Sequence, residues 1–334
     1  MTELIDDYLD YLRHNQGRSP ATAIKYGGYL RRLAGWIQEA GGHLLTLSSD
    51  DLEQFTGLVM HKEGLSPRSR RALVAAVRGF YSWARSRGHI RQDPAAGLPY
   101  PRAGLKLPTP MQLRHAEKLL MQPDISTFTG VRDAAILSVL IGCGLRIGGL
   151  CALNEGDLIF TDVDGVEWMI IRTREKGDRE RLLPAPHETR LLVRAYLGHQ
   201  ELEHIDRHLE NGDQVLFVST RNRTVPEHQF RGEERRLAQR TIRDMIVRYG
   251  EAAGIPRKEL HPHAMRHLYG TELAEDDVDL LVRQTLMGHV DSNSTKIYTH
   301  LAMRKLTQHM GKANPLSKVK TPVTDLLRHL QRDP

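Results

Sequence analysis

The stretch Glu167–Pro184, EWMIIRTREKGDRERLLP, decides the fold. Glu167-Trp168-Met169-Ile170-Ile171 is a short apolar run of β-prone residues and reads as a strand, and Arg181-Leu182-Leu183-Pro184 reads as a second. Lys176-Gly177-Asp178 between them is a turn signal, so the two strands form a hairpin. The period changes across residues 158–185, whereas the sequence on both sides is helical, at 109–122 and 127–143 before it and at 187–208 and 233–253 after it. A short strand is expected at Val215-Leu216-Phe217-Val218, and Leu260 to Met310 is again mostly helical. The fold class that follows is mainly α with a small antiparallel β-sheet (α+β).

Upstream the chain is helical throughout. Residues 2–13 place Leu4, Ile5, Tyr8, Leu9 and Leu12 on one face. Ser19-Pro20 supplies an N-cap followed by Pro at the first helical position, and that helix runs to about Ala40 before Gly41-Gly42. Ser49 or Asp50 is expected to cap a third helix ending near Gly64. Ser66-Pro67 starts a fourth, running to Gly88, with Leu73, Val74, Val77, Phe80, Tyr81 and Ala84 as its buried stripe. Pro94, Pro99, Pro101, Pro108 and Pro110 then exclude helix and favour an extended connector. The boundary is expected near residue 105, giving a helical domain at 1–105 and a second domain at 106–334. In the tail, Val323, Leu326, Leu327 and Leu330 form an i, i+3, i+4, i+7 stripe on a short helix at 322–331.

Composition narrows the function classes. Of 334 residues, 40% are hydrophobic and 26% charged, which excludes wholesale disorder. Cys143 and Cys151 are too few for a disulfide framework or a four-cysteine zinc site and fit a reducing, cytoplasmic setting. The acidic, amphipathic start MTELIDDYLDYL is no signal peptide, and the longest apolar run, Ala134 to Ile141, is too short to span a membrane. The net charge of +6 is unevenly placed. Residues 66–106 carry nine Lys and Arg against the single acid Asp93. Arg68, Arg71, Arg78 and Arg85 lie largely off the buried stripe of the fourth helix, and with Arg70 they are either a solvated face or a surface that tracks DNA phosphates.

Several polar residues stand in apolar company. Arg146 lies in IGCGLRIGGLCAL, where a charge needs a partner or a ligand: either a buried salt bridge or an anion site beside Gly142 and Gly144. His263 and Arg266, in HPHAMRH, are spaced i, i+3 and share one helix face. Together an imidazole and a guanidinium can bind two oxygens of one phosphate. His261, His263 and His267 also suggest a metal, but no carboxylate or thiolate set completes such a site. Taken singly, Tyr298 reads as a core or rim residue and Lys176 as a solvated turn residue.

The ordered set Arg146, Lys176, His263-x-x-Arg266, Gly288-His289 and Tyr298 resembles the tyrosine recombinase (phage integrase) family, most of all its Xer-like members. The stretches that carry the resemblance are GCGLRIGGLCAL, REKGDRERLLP, LHPHAMRHLYGTEL, LMGHVDSN and STKIYTHL. It implies that residues 1–88 are a SAM-like, DNA-binding core-binding domain and about 107–312 the catalytic domain. It also implies that Arg146, Lys176, His263, Arg266, His289 and Tyr298 are catalytic. One departure stands out. After the first arginine the family usually has Ser or Ala and then Glu or Asp, where this chain has Gly148-Gly149, so a carboxylate that orients the active-site histidine or arginine is missing.

The implied reaction is site-specific DNA recombination through a 3′-phosphotyrosyl link and a Holliday junction, with no metal, no other cofactor and no ATP. Implied partners are double-stranded DNA with an inverted-repeat site and three further copies of the chain, in a homotetramer on two sites, with no membrane. The tail helix would then dock on a neighbouring protomer rather than on its own domain. The expected location is cytoplasmic and nucleoid-associated, in DNA integration or another mobile-element role. Two alternatives share the resemblance: a type IB-like topoisomerase, and a DNA-binding relative with impaired catalysis.

Overall fold

Residues 1–104, 109–163, 165–175, 179–222, 225–276 and 278–287, with 310 and 315, are described in a computed structural model, in which the chain divides into two compact units, Met1–Lys106 and Leu107–Pro334.

In the first unit, serine caps set where helices begin. After α1 (Thr2–His14), α2 (Pro20–Glu39) starts with the Ser19 hydroxyl accepting from the Thr22 N–H at 3.4 Å. The third helix is capped one residue earlier than expected. Ser48 Oγ accepts from the Asp51 N–H at 3.2 Å and the Asp51 carboxylate accepts from the Ser48 N–H at 2.9 Å. This reciprocal pair needs an acid three residues on, which Ser48 has and Ser49 lacks. α3 (Ser49–Glu53) continues through a π-helical stretch, Gln54–Val59, into α4 (Met60–Lys62). α5 (Pro67–Ser86) starts at Ser66, whose hydroxyl accepts from the Ser69 N–H at 3.2 Å. All six residues of its expected stripe are fully buried, against Leu30, Leu33, Phe55 and Tyr8.

The second unit is built around α7 (Phe128–Gly142), which is buried on every side and follows α6 (Leu113–Leu120). α8 (Ile147–Ala152) leads to the sheet: β1 (Leu158–Val163), β2 (Val166–Glu175) and β3 (Arg179–Ala185), antiparallel in the order β1-β2-β3. Two features differ from the expectation. β1 adds a strand that has no clear alternation, since Ile159 and Phe160 are adjacent and both exposed. Val215–Val218 makes only isolated bridges. Its polar groups are taken up piecemeal, the Leu216 N–H by Leu153 O, the Val218 N–H by Tyr196 Oη and the Val218 carbonyl by Arg132, so no ladder forms.

α9 (His187–Leu197) stops before Gly198, short of the expected 208, and α10 (Gln200–Glu203) is a single turn. α11 (Gln239–Ala252), α12 (Pro262–Glu275) and α13 (Leu280–Met287) complete the described helices. No helix among the described residues is long and apolar enough to cross a membrane.

Candidate active site

Gly144 sets the first turn of the site. Its φ of +58° is left-handed, and an added Cβ would lie 2.3 Å from the ring of Tyr269, so both backbone and space require glycine. The chain turns there from the end of α7 and delivers Arg146, half-buried, as the N-cap residue of α8. Tyr269, fully buried, lies on α12, one turn beyond Arg266.

α12 begins at His261, whose Nδ1 accepts from the Ala264 N–H at 3.0 Å, with Pro262 at the first helical position. That capping bond gives His261 a structural task. One turn in, His263 stays open to solvent while Arg266 is only 5% exposed. Arg266 donates to the carbonyls of Gly144 and Met287, so it ties the α7–α8 turn to the end of α13. The pKa of His263 is lowered, first by partial desolvation of its ring, then by His261, His267, Arg266 and Arg146. The bond from Arg266 to the Gly144 carbonyl brings the first turns of α12 to the turn that carries Arg146, 120 residues away in the sequence, and the charges of both arginines act on His263.

Lys176, His289 and Tyr298 lie outside the described residues, as does the tail helix 322–331. Their described flanks are β2 and β3 on either side of residues 176–178 and α13, which ends two residues before His289. At the departure from the family pattern, an added Cβ on Gly149 would lie 2.9 Å from Thr173 Oγ1 on β2, and one on Gly148 3.4 Å from Gln239 Nε2. Thr173 is 3% exposed, so a carboxylate side chain at 149 has to displace it.

The five arginines of α5 divide by surroundings. Arg68 and Arg85 are exposed. Arg71 donates to Pro101 O at 3.1 Å and Arg78 to Leu98 O at 3.3 Å, and both lie over the Tyr100 ring, at 5.2 and 5.4 Å. Arg70 instead donates to Gly57 O in the π-helical stretch, at 3.3 Å. Sequence reasoning missed Tyr100 and also Arg181, which reaches the end of α13.

Two separate helical and α+β units, and an arginine–histidine–arginine group at adjoining helix starts, define the class. Residues 111–305 match the Phage integrase family and residues 5–88 match the Phage integrase, N-terminal SAM-like domain, and the chain belongs to this family of tyrosine recombinases. Tyrosine recombinase XerD of Pseudomonas putida (strain KT2440) is 32% identical over 314 residues, covering 93% of this chain and 97% of the relative. Among solved structures, the XerH site-specific recombinase bound to difH substrate, a pre-cleavage complex, has a TM-score of 0.62 at 20% identity, covering 92% of this chain and 83% of that one. A lambda integrase tetramer bound to a Holliday junction has a TM-score of 0.58 at 18% identity, covering 87% and 78%. These two likenesses show the fold. Expected family and expected fold class both hold.

Proposed function

We propose that the chain recombines DNA site-specifically, with Tyr298 as nucleophile toward a backbone phosphodiester. The bond from Arg266 to the Gly144 carbonyl, which brings α12 with His263 to the turn that carries Arg146, supports this reading. Two guanidinium groups from adjoining helix starts suit the two non-bridging oxygens of one phosphate and the charge that grows on them in the pentacoordinate transition state. A preorganised donor of this kind contributes about 3–4 kcal/mol.

A phenol with a pKa of about 10 needs its proton removed before attack at neutral pH. His263, neutral because its pKa is lowered, is the base in cleavage and returns the proton in ligation. The Tyr298 oxygen bonds to phosphorus, the P–O5′ bond breaks, and Lys176 protonates the departing 5′-oxygen. His289 hydrogen-bonds a non-bridging oxygen. A 5′-hydroxyl from a second duplex then displaces the tyrosine, so one phosphoester replaces another and no energy source is consumed. Two duplexes exchanged at both strands need four active sites, which supports a homotetramer on two inverted-repeat sites. The tetrameric lambda integrase structure is consistent with this. Arg68, Arg71, Arg78 and Arg85 serve DNA phosphates through the N-terminal domain, residues 1–105, while residues 106–334 hold the chemistry. The Xer names of the matched proteins favour a resident over a mobile-element role, in the cytoplasm at the nucleoid.

The test is covalent capture on a library of nicked duplexes of randomised sequence. The nick lets the cleaved fragment diffuse away and strands the adduct. The parent chain should yield a protease-sensitive protein–DNA adduct at the 3′ phosphate, and sequencing the captured DNA gives the site. Tyr298→Phe should bind that site and form no adduct. An adduct from Tyr298→Phe removes this reading. Relaxation of supercoiled DNA without recombination of paired sites turns it to a topoisomerase.

A further inference from the structure

The end of α13 is held by two arginines from different elements. Arg266 on α12 donates to the carbonyl of Met287, the last residue of the helix. Arg181 on β3 donates through Nη1 to the carbonyl of Leu286, at 3.1 Å. The last carbonyls of a helix have no partner inside it and form the negative end of its dipole, so cations there both satisfy and stabilise it. Arg181 faces the interior, paired with the buried Thr173 of β2. Leu183 and Ala185 on its face are buried, while Leu182 on the opposite face is 43% exposed. Its charge also acts on the buried Cys143 thiol at the end of α7 and on the buried Tyr269 hydroxyl of α12. One guanidinium from the sheet therefore lies among the ends of α7 and α13 and the middle of α12.

The elements it joins flank assigned groups. β3 is the returning strand of the hairpin whose turn holds Lys176, and Gly288-His289 follow directly on Met287. We propose that Arg181 is a positioning residue for the strand-transfer chemistry: it latches the Lys176 hairpin to the carboxyl end of α13, so that one side chain sets both the proton donor and His289 against the same phosphate. This inference rests on the roles given to Lys176 and His289 above. The role assigned to Arg181 is the bond from its Nη1 to the Leu286 carbonyl, through which it acts on its neighbours. Arginine suits the task because its planar fork keeps direction, where a lysine ammonium offers a compact charge on a flexible stem.

The experiment uses the full chain and the nicked duplex recovered by covalent capture. It compares the parent with Arg181→Met, Arg181→Lys, His289→Ala and Arg181→Met/His289→Ala. Arg181→Met should bind DNA within about twofold of the parent and cleave up to roughly 100-fold more slowly, the scale of a group misplaced by about an ångström. Arg181→Lys should recover part of that loss. In the His289→Ala background, Arg181→Met should cost less than it does alone, because one of the two groups it places is already gone and only the share that acts through Lys176 is left. Where thermal melting shows Arg181→Met to be unfolded, the same cycle with Arg181→Lys decides. Losses that multiply across the cycle overturn the proposal, as do parent-like cleavage by the substituted chain or equal losses of binding and cleavage. Tyr298→Phe runs alongside: an adduct from it defeats the recombinase reading, while an adduct-free Tyr298→Phe with a multiplicative cycle defeats only the role of Arg181.

Discussion

At the scale of single residues, His263 links electrostatics to rate. Its lowered pKa means that the neutral ring survives acidification past the ordinary value of 6.5. Cleavage should therefore hold as pH falls through 6.5 and decline only below it, measured as single-turnover adduct formation. An acid limb at or above the ordinary value would remove His263 as base. The sign for stability agrees: a histidine whose folded pKa is lowered binds its proton more readily when unfolded, so acidification through that range also weakens the fold. Gly149 offers a second test. Its added Cβ meets Thr173 Oγ1 at 2.9 Å, so Gly149→Ala should lose about 1 kcal/mol in urea unfolding, despite the better helix propensity of alanine. In a Thr173→Ala background that loss should vanish. A stabilised Gly149→Ala would show that Thr173 yields freely. It would also mean that packing is not what keeps a carboxylate from position 149.

At the scale of elements, the helix starts were legible because Ser-Pro pairs at 19–20 and 66–67 announce them, and the hairpin because a turn interrupts two apolar runs. What stayed hidden depends on partners far along the chain. β1 carries adjacent exposed apolar residues and is defined by pairing with β2, from Leu158 with Ile171 to Val163 with Val166. Val215–Val218 has the composition of a strand but its polar groups go to scattered donors and acceptors. Arg181 was readable from its period-2 phase with Leu183 and Ala185, a signal that its charge disguised. The five arginines of α5 look alike in sequence, yet their surroundings differ. Arg85 is exposed, and Arg85→Ala should weaken DNA binding and lower the slope of log affinity against log salt by roughly 1. Arg70 is bound to Gly57 O, so Arg70→Ala should leave that slope unchanged and lower the melting temperature of the first unit.

At the scale of the whole molecule, the chain divides into two compact units, Met1–Lys106 and Leu107–Pro334, and the sequence around that division is rich in proline. What the tail packs against was not legible, because an apolar stripe such as Val323, Leu326, Leu327 and Leu330 names no partner. If that stripe docks on a neighbour, a chain ended near Lys318 should bind one site normally, by gel shift, and lose recombination of paired sites. Full recombination by the shortened chain would return the stripe to its own domain. The sheet bears on the same crowding of copies. β3 is an edge strand with Pro184 opposite Ile170, and an edge accepts proline where the missing N–H would have pointed outward. Leu183 to Pro186 are also buried, so an intruding fourth strand finds that stretch of the border both covered and short of a donor. Molecules crowded together are thereby discouraged from zipping sheet to sheet, a route by which proteins precipitate.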